Sequence, residues 1–183
     1  MGCVAAIAAG LGGASGVRVN VSPSLRLGVY RIAHAPVVRG ATVLLCLPAA
    51  IASIARERGY LWRGPCSGGV APLGKMVAAM AGDTVDVTAR GVLVNGRLLA
   101  RSVPLLVDTR RRLLTPAFGR LVLAQGELWV HGDADPRSFD SRYFGPVSTD
   151  DVRAVIVPVF VRGAAGVLWA REVGLGDRAF AAH

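Results

Sequence analysis

Two serines and a lysine are the residues of this sequence best suited to nucleophilic catalysis. Ser22 and Ser24 flank Pro23, and Lys75, in a stretch rich in Val and Ala, is the single lysine among 21 basic residues. An apolar strand removes water from a lysine side chain, which penalises the charged amine and lowers its pKa. A neutral lysine can take the proton of a serine hydroxyl, so these residues are candidates for a nucleophile and its general base. The alternatives are an ordinary Ser-Pro-Ser loop and a solvated lysine at a strand end.

A third, polar segment could hold such groups in place. Residues 132–145 (GDADPRSFDSRYFG) concentrate hydrogen-bonding side chains between apolar strands. Polar groups that are buried must be satisfied internally, so the segment predicts a network that keeps a site in shape. The alternative is an exposed acidic loop that binds a cation through Asp133 and Asp135.

Other kinds of chemistry lack the residues that they need. His34, His131 and His183 lie in no recognisable catalytic motif, and the sequence contains no G-x-S-x-G. No Cys or His spacing predicts zinc, so we expect neither a metal nor a cofactor. The net charge of +9 raises the question of an anionic partner, but the basic residues are scattered. We therefore expect no nucleic-acid surface and favour the anionic face of a membrane.

The elements that must position these residues are mainly β strands. Asn95-Gly96 predicts a type I′ hairpin because both residues tolerate positive φ angles. One helix is predicted from Pro48 to Arg58, ended by Gly59, and residues 59–74 are predicted to be a loop that leads back to Lys75. Short apolar runs between turn signals predict the strands Gly28–Ala33, Ala41–Leu47, Lys75–Ala79, Thr84–Ala89, Val92–Val94, Leu121–Leu123, Leu128–His131 and Val152–Val161.

Two of the three cysteines flank the predicted helical insert. Cys46 and Cys66 either form one disulfide in an oxidising compartment or remain two separate buried thiols. Cys3 lies in the apolar N-terminal stretch and is expected to stay unpaired.

We expect one catalytic domain, at residues 18–162, with an insert at about 48–74. Residues 2–17 carry no charge but are short for a helical bilayer span, which needs about 20 residues. We predict that residues 1–17 are a hydrophobic signal anchor whose true start lies upstream; the alternatives are a cleaved export signal and a buried helix. The run 154–170 is predicted to be a core strand that leads into a loose tail at 163–183, with a second membrane span as the alternative.

Three boxes in a fixed order resemble the signal peptidase family. They are residues 20–30 (NVSPSLRLGVY), 75–83 (KMVAAMAGD) and 132–145, in which the string DSRY at 140–143 is the most diagnostic. The first box and the cysteine-bounded insert, with RGYL at 58–61, resemble the conjugative-transfer branch of that family, the TraF type. The resemblance covers roughly residues 17–161. It implies a signal-peptidase-like antiparallel β domain with a short helical insert and an N-terminal hydrophobic anchor.

The resemblance also implies the catalytic residues. Ser24 matches the nucleophile, Lys75 the general base, and Ser22 a hydroxyl that contributes to the oxyanion hole beside the Ser24 N–H. Arg26 stands where this branch usually has Pro, which leaves Ser22 as an alternative nucleophile.

Three residues of the last box match supporting positions of the family. Ser138 matches the serine that orients the lysine amine. Asp140 and Arg142 match a structural ion pair beneath the site. The departures from the family pattern, at Arg26, Met76 and Ala81, remove no reacting group.

The resemblance finally implies a function. The chain is expected to be a serine endopeptidase that processes a conjugative pilin precursor after its signal segment, with cyclisation of the product as an alternative to hydrolysis. It would act as a monomer in the bacterial inner membrane, with its catalytic domain facing the periplasm and the substrate bound as an extended strand. The alternatives are a catalytically dispensable assembly factor of a conjugation or type IV secretion apparatus, and a general signal peptidase.

Overall fold

The computed structural model describes residues 7–8, 16–163 and 166–169, with side chains described from 16 to 162. Strands predominate, so the mainly β prediction is confirmed. A 3-10 turn, Thr149–Asp151, precedes the longest strand. In chain order the strands and helices are β1 (Ile7–Ala8), β2 (Val17–Asn20), β3 (Gly28–Ala33), β4 (Thr42–Leu45), α1 (Ala49–Glu57), β5 (Arg63–Cys66), β6 (Leu73–Met80), β7 (Thr84–Thr88), β8 (Gly91–Val94), β9 (Arg97–Leu98), β10 (Gly119–Val122), β11 (Glu127–His131), α2 (Ser141–Phe144), β12 (Val147–Ser148), β13 (Val152–Gly163) and β14 (Gly166–Trp169).

The larger sheet carries the segments that the sequence predicts to be catalytic. Its strands follow the order β1-β2-β3-β13-β4-β6-β11-β12, with β14 paired to β13, and the pairings are antiparallel. Strand β6 lies inside the sheet, between β4 and β11, and its residues from Leu73 to Ala79 are buried. A strand that is covered on both faces needs a continuous apolar run rather than an alternating one. Lys75 is therefore in an unusual place for a charged residue type.

The smaller sheet has the order β10-β7-β8-β9 and contains the predicted hairpin. Strands β8 and β9 pair through Leu93 with Leu98 and Val94 with Arg97. Between them Asn95 has a φ of 50° and Gly96 a φ of 82°. These positive angles are the ones that a type I′ turn requires, so the Asn-Gly prediction is confirmed.

Two apolar cores lie on the two faces of the β6–β11 pair. Val77 and Val130 pack with helix α1 in one core, while Ala78 and Trp129 pack with the smaller sheet in the other. Adjacent residues of a strand point to opposite faces, so each strand contributes to both cores. The face that carries Val77 is thus the face covered by the insert.

The helical insert is attached to this face. Helix α1 runs from Ala49 to Glu57 between Pro48 and Arg58, as predicted, and its Ala52 and Ala55 are fully buried in the core. The structure joins Cys46 and Cys66 in a disulfide with a Cα–Cα distance of 5.4 Å. The crosslink connects the end of β4 to the end of β5 and holds the insert at both ends.

The prediction of an uninterrupted loop at residues 59–74 is wrong. It contains β5, and β6 begins at Leu73. Bridges join Val70 to Arg63 and to Cys66, which form a narrow antiparallel ribbon. A Cβ added at Gly64 would meet the backbone of Ala71, so glycine here permits two chain segments to approach. Gly is typical of turns, whereas Gly64 here allows a close contact between strands.

The N-terminal and C-terminal predictions fall largely outside the described residues. Of the predicted anchor at 1–17, only Ile7–Ala8, Gly16 and Val17 are described, and β1 pairs with β2. The predicted core strand near 154–161 is present as β13, which pairs with β3 and β4. Of the predicted tail, only Gly163 and β14 are described. Among the described residues, no helix has the length and hydropathy that crossing a membrane requires.

Candidate active site

The Ser-Pro-Ser segment folds into a turn that Asn20 organises. The Asn20 side-chain amide donates hydrogen bonds of 2.9 Å to the carbonyl oxygens of Ser22, Leu25 and Arg26. Its carbonyl oxygen accepts a 3.0 Å bond from the Ser22 N–H. Asn20 is itself buried at the end of β2, so these bonds are shielded from water. One amide thereby sets the path of the chain through both serines.

The two serine hydroxyls lie side by side in this turn. Ser22 Oγ and Ser24 Oγ are 3.0 Å apart, and the Ser24 N–H points at Ser22 Oγ over a longer 3.4 Å. Both residues are only 3% exposed. The Ser22 hydroxyl therefore lies beside both the hydroxyl and the N–H of Ser24. The donors of an oxyanion hole lie beside a nucleophile in the same way.

The lysine lies on β6, inside the larger sheet, and is fully buried. Lys75 pairs with Val43 of β4, a member of the insert-side core. Opposed residues of an antiparallel pair project to the same face of the sheet. Lys75 therefore faces the insert, as Val43 does. On the other side of β6, the pairing with β11 ends at Met76 with His131.

Gly132 makes the room in which the site assembles. A Cβ added there would collide with the side chain of Ser138 and would lie 3.1 Å from the carbonyl oxygen of Ser24. The space of the missing side chain is thus filled by Ser138 and bordered by the Ser24 carbonyl. Ser24 and Ser138, from two separate segments, meet at this glycine.

Ser138 has a hydroxyl available for a further contact. Its side chain is 1% exposed, and within residues 16–162 its Oγ makes no hydrogen bond. Buried hydroxyls normally have a partner, and an exception is typical of a functional site. The Ser138 hydroxyl can therefore serve a reacting group beside Gly132 without breaking an existing bond.

Asp140 and Arg142 form a buried ion pair beneath these residues. Arg142 donates from Nε to Asp140 Oδ1 at 2.8 Å and from Nη2 to Asp140 Oδ2 at 2.9 Å, and both residues are 0% exposed. The guanidinium also donates to the carbonyl oxygens of Pro136 and Ser138, each at 2.9 Å. The pair thus ties helix α2 to the turn that carries Ser138.

The same carboxylate holds Gly132. Asp140 Oδ2 accepts a 2.9 Å bond from the Gly132 N–H, and His131 Nδ1 lies 3.3 Å from it. Burial by itself would raise the pKa of Asp140, but the charge of Arg142 and the contact with His131 hold that pKa well below its usual range. An ionised Asp140 is therefore a fixed acceptor that positions the backbone of Gly132.

A cavity of about 220 Å³ opens beside the serine turn. Ser24, Ser138, Phe139 and Tyr143 line it on one side. The end of the insert contributes Tyr60, and the segment 105–114 supplies much of the remaining wall. Ser24 is therefore buried from bulk solvent yet borders a space that a substrate group can enter.

The structure brings the predicted serines together and adds residues that the sequence patterns did not indicate. Gly132 begins the polar segment at 132–145 and His131 ends a predicted strand, and neither residue was predicted to belong to the site. The 2.6 Å bond from the Tyr60 hydroxyl to Asp108 closes the cavity wall, and it joins residues 48 positions apart. No local pattern could have found that contact, since it depends on how the insert folds back.

Known proteins are similar to most of this chain. The signal peptidase family, peptidase S26, matches residues 2–161. A plasmid transfer protein TraF of Escherichia coli is 41% identical over 160 residues, which is 85% of this chain and 89% of the relative. A conjugal transfer protein TraF of Agrobacterium tumefaciens (strain 15955) is 42% identical over 148 residues, or 79% of this chain and 82% of the relative. A crystal structure of a signal peptidase I from Enterococcus faecalis V583 is 21% identical, with a TM-score of 0.39, and the match covers 67% of this chain and 98% of that one.

Proposed function

The chain belongs to the signal peptidase family, peptidase S26, and from that premise we propose that it is a serine endopeptidase with Ser24 as nucleophile and Lys75 as general base. The observation that carries the proposal is the packing of the Ser24 carbonyl and the Ser138 side chain against Gly132, which directly follows β11, the strand paired with the strand of Lys75. Ser24 also borders the cavity, which gives its hydroxyl access to a substrate. In this proposal Ser138 orients the Lys75 amine.

The proposed reaction is acyl transfer in two steps. The Lys75 amine takes the proton of Ser24 Oγ, and the oxygen attacks the carbonyl carbon of the scissile peptide bond. The Ser24 N–H and the Ser22 hydroxyl stabilise the oxyanion, and the C–N bond breaks as Lys75 returns the proton to the leaving amine. Water, or an amino group of the substrate itself, then attacks the ester and releases Ser24. The first nucleophile gives hydrolysis and the second gives a cyclic product.

We propose a conjugative pilin precursor as the substrate. The support is that similar proteins are named for plasmid and conjugal transfer and match most of their own length. The substrate would bind in an extended form next to Ser24, since main-chain pairing suits a cleft bordered by strands. A general signal peptidase would instead accept many exported precursors, and an assembly factor of the transfer apparatus would cleave none.

We further propose that the chain works at the inner membrane and faces the periplasm. The disulfide between Cys46 and Cys66 suits an oxidising compartment. The net charge of +9 favours a position near anionic lipid headgroups.

Co-expression with pilin precursors tests the proposal. The mass of each recovered precursor distinguishes an uncut, a cut and a cyclised chain, because cyclisation removes one water relative to the cut chain. We expect processing by the natural sequence and none by Ser24→Ala or Lys75→Ala. Ser67→Ala, an exposed serine of the insert, serves as the matched control and should process normally. Processing by both site variants would contradict the proposal, and processing of unrelated secretory precursors would favour a general signal peptidase.

A further inference from the structure

The cavity beside Ser24 is lined by an excess of positive charge. Four arginines border it, whereas Asp108 is the one carboxylate among its lining residues in the described part of the chain. Its volume of about 220 Å³ is below the roughly 300–1,000 Å³ of typical small-molecule sites. The cavity therefore suits a side chain of a larger substrate rather than a free ligand.

The carboxylate of Asp108 is already committed to its neighbours. Arg112 Nε donates to it at 2.7 Å and the Tyr60 hydroxyl at 2.6 Å. The backbone N–H groups of Arg110 and Arg112 donate to its other oxygen at 2.8 and 2.9 Å. Asp108 thus matches the charge of Arg112 and stiffens the wall. Asp108 therefore does not neutralise the charge of the other arginines in the lining.

Two arginines of the wall remain uncompensated. Arg58 donates from Nη1 to the Leu113 carbonyl at 2.8 Å, and a neutral carbonyl does not cancel its charge. Arg110 is exposed. Neither forms an ion pair with a carboxylate among residues 16–162. Arg137, the fourth, pairs with Asp135. The uncompensated charge therefore lies in the lining of the same cavity that Ser24 borders.

We infer that this cavity is a subsite for an acidic side chain of the substrate, close to the scissile bond. Two arginines in one small concave space attract a carboxylate more strongly than isolated surface charges do, because protein walls reduce solvent screening. A basic side chain in the same position would meet two like charges and be rejected. The inference rests on the proposed peptidase function and names a specificity element of that same site.

A peptide series tests the inference. Peptides that span the processed bond of a pilin precursor are made with Glu, Gln or Lys at each position within four residues of that bond, all with amidated C-termini. We expect one position at which Glu gives a kcat/KM about fivefold above that of Gln, equivalent to about 1 kcal/mol. Lys at that position should fall below Gln. A fourth set with a free C-terminal carboxylate shows whether a main-chain carboxylate can replace the side chain.

Charge reversal links the preference to this wall. Arg110→Glu should abolish the preference for Glu and make Lys the better residue at that position. Arg120→Glu makes the same change of net charge on β10 of the smaller sheet, outside the cavity, and should keep the preference for Glu. Equal values for Glu and Gln in the natural sequence, or the same loss in both variants, would overturn the inference.

Binding separates this inference from the proposed function. Dissociation constants of the Glu and Gln peptides are measured with the Ser24→Ala variant, in which no acyl transfer can occur. A preference for Glu in binding, without cleavage by the natural sequence, would support the subsite and reject the peptidase. Cleavage without any discrimination in binding or in kcat/KM would support the peptidase and reject the subsite.

Discussion

The Ser22 and Ser24 hydroxyl oxygens are 3.0 Å apart in a buried turn whose shape is set by the Asn20 amide. The Ser22 hydroxyl therefore contacts both the Ser24 hydroxyl and the Ser24 N–H. When two hydroxyls lie at hydrogen-bond distance, one can act as the nucleophile and the other can donate a hydrogen bond to the oxyanion. The pair therefore gives a direct test of which serine has which role.

Ser22→Ala should slow the reaction without abolishing it. The change removes one oxyanion donor and leaves Ser24 and its N–H in place, so kcat should fall by roughly 10²–10³. Steady-state kinetics on the precursor peptide gives kcat and KM, and KM should change little because the donor acts mainly in the transition state. A complete loss, together with an active Ser24→Ala variant, would reverse the two roles.

Gly132→Ala should damage the site more than the fold. The added methyl collides with Ser138 and approaches the Ser24 carbonyl to 3.1 Å, so both must shift relative to Lys75. Overpacking of this kind costs about 1–3 kcal/mol of unfolding free energy. We expect kcat to fall at least 10²-fold, because misplacement by an ångström can cost that much.

Gly64→Ala is the matched control for that change. It also places a methyl against neighbouring atoms, here the backbone of Ala71 in the insert, and like Gly132 it needs no positive φ. It should lower the unfolding free energy at least as much and reduce kcat far less. Equal losses of kcat at equal stability would show that Gly132 has no special role at the site.

Asp140→Asn should remove a large and pH-dependent part of the stability. Because the pKa of Asp140 is lowered in the folded state, its contribution is present above the unfolded pKa, near 4, and is lost as the pH falls through and below that value. Breaking the pair also leaves Arg142 buried without its counter-charge, at a cost of about 3–5 kcal/mol. Urea unfolding at several pH values gives the free energy of unfolding of the natural sequence and of Asp140→Asn. The difference between these two values should be large at pH 7 and should decrease below about pH 4.

Asp150→Asn makes the same chemical change on the exposed 3-10 turn. This control should unfold like the natural sequence at pH 7. If the loss of unfolding free energy in Asp140→Asn is the same at every pH from 7 to 3, the Asp140 carboxylate contributes no charge-dependent stability.

Loss of the disulfide should loosen the insert and the cavity wall. Cys46 and Cys66 are 20 positions apart. In the chain-entropy model, removing a disulfide that closes a loop of this length lowers the free energy of unfolding by about 3 kcal/mol. The double variant Cys46→Ala/Cys66→Ala should unfold at lower urea, and KM should rise because Arg58 and Tyr60 follow the helix that the crosslink holds. The natural sequence treated with a thiol reductant should match it, whereas reductant should not change the double variant.

Local rules predicted much of the fold. The positive φ angles of Asn95-Gly96 and the bounds of helix α1 follow from residue type alone. The loop prediction at 59–74 failed because glycine has two uses, and Gly64 serves a close chain contact rather than a turn. Short elements such as α2 depend on a cap, here the Asp140 side chain that accepts from the Arg142 N–H, and its four residues carry no periodic signal.

The site was predictable only as a set of residues. Motif order indicated Ser24, Lys75 and Ser138, but the approach of Ser24 to Ser138 depends on the space at Gly132, directly after β11. The cavity wall depends on the contact of Tyr60 with Asp108, which a linear pattern cannot encode. Spatial relationships of this kind follow from packing rather than from local preference.

The most direct test of the central claim is to locate the acyl-enzyme. The protein is mixed with a precursor peptide, quenched in acid within one turnover and digested, and the modified serine is identified by mass spectrometry. We predict an ester on Ser24 that is absent in Ser24→Ala and in Lys75→Ala and is still formed, more slowly, in Ser22→Ala. Product formation with no adduct on Ser24, or an adduct on another serine, would contradict the account.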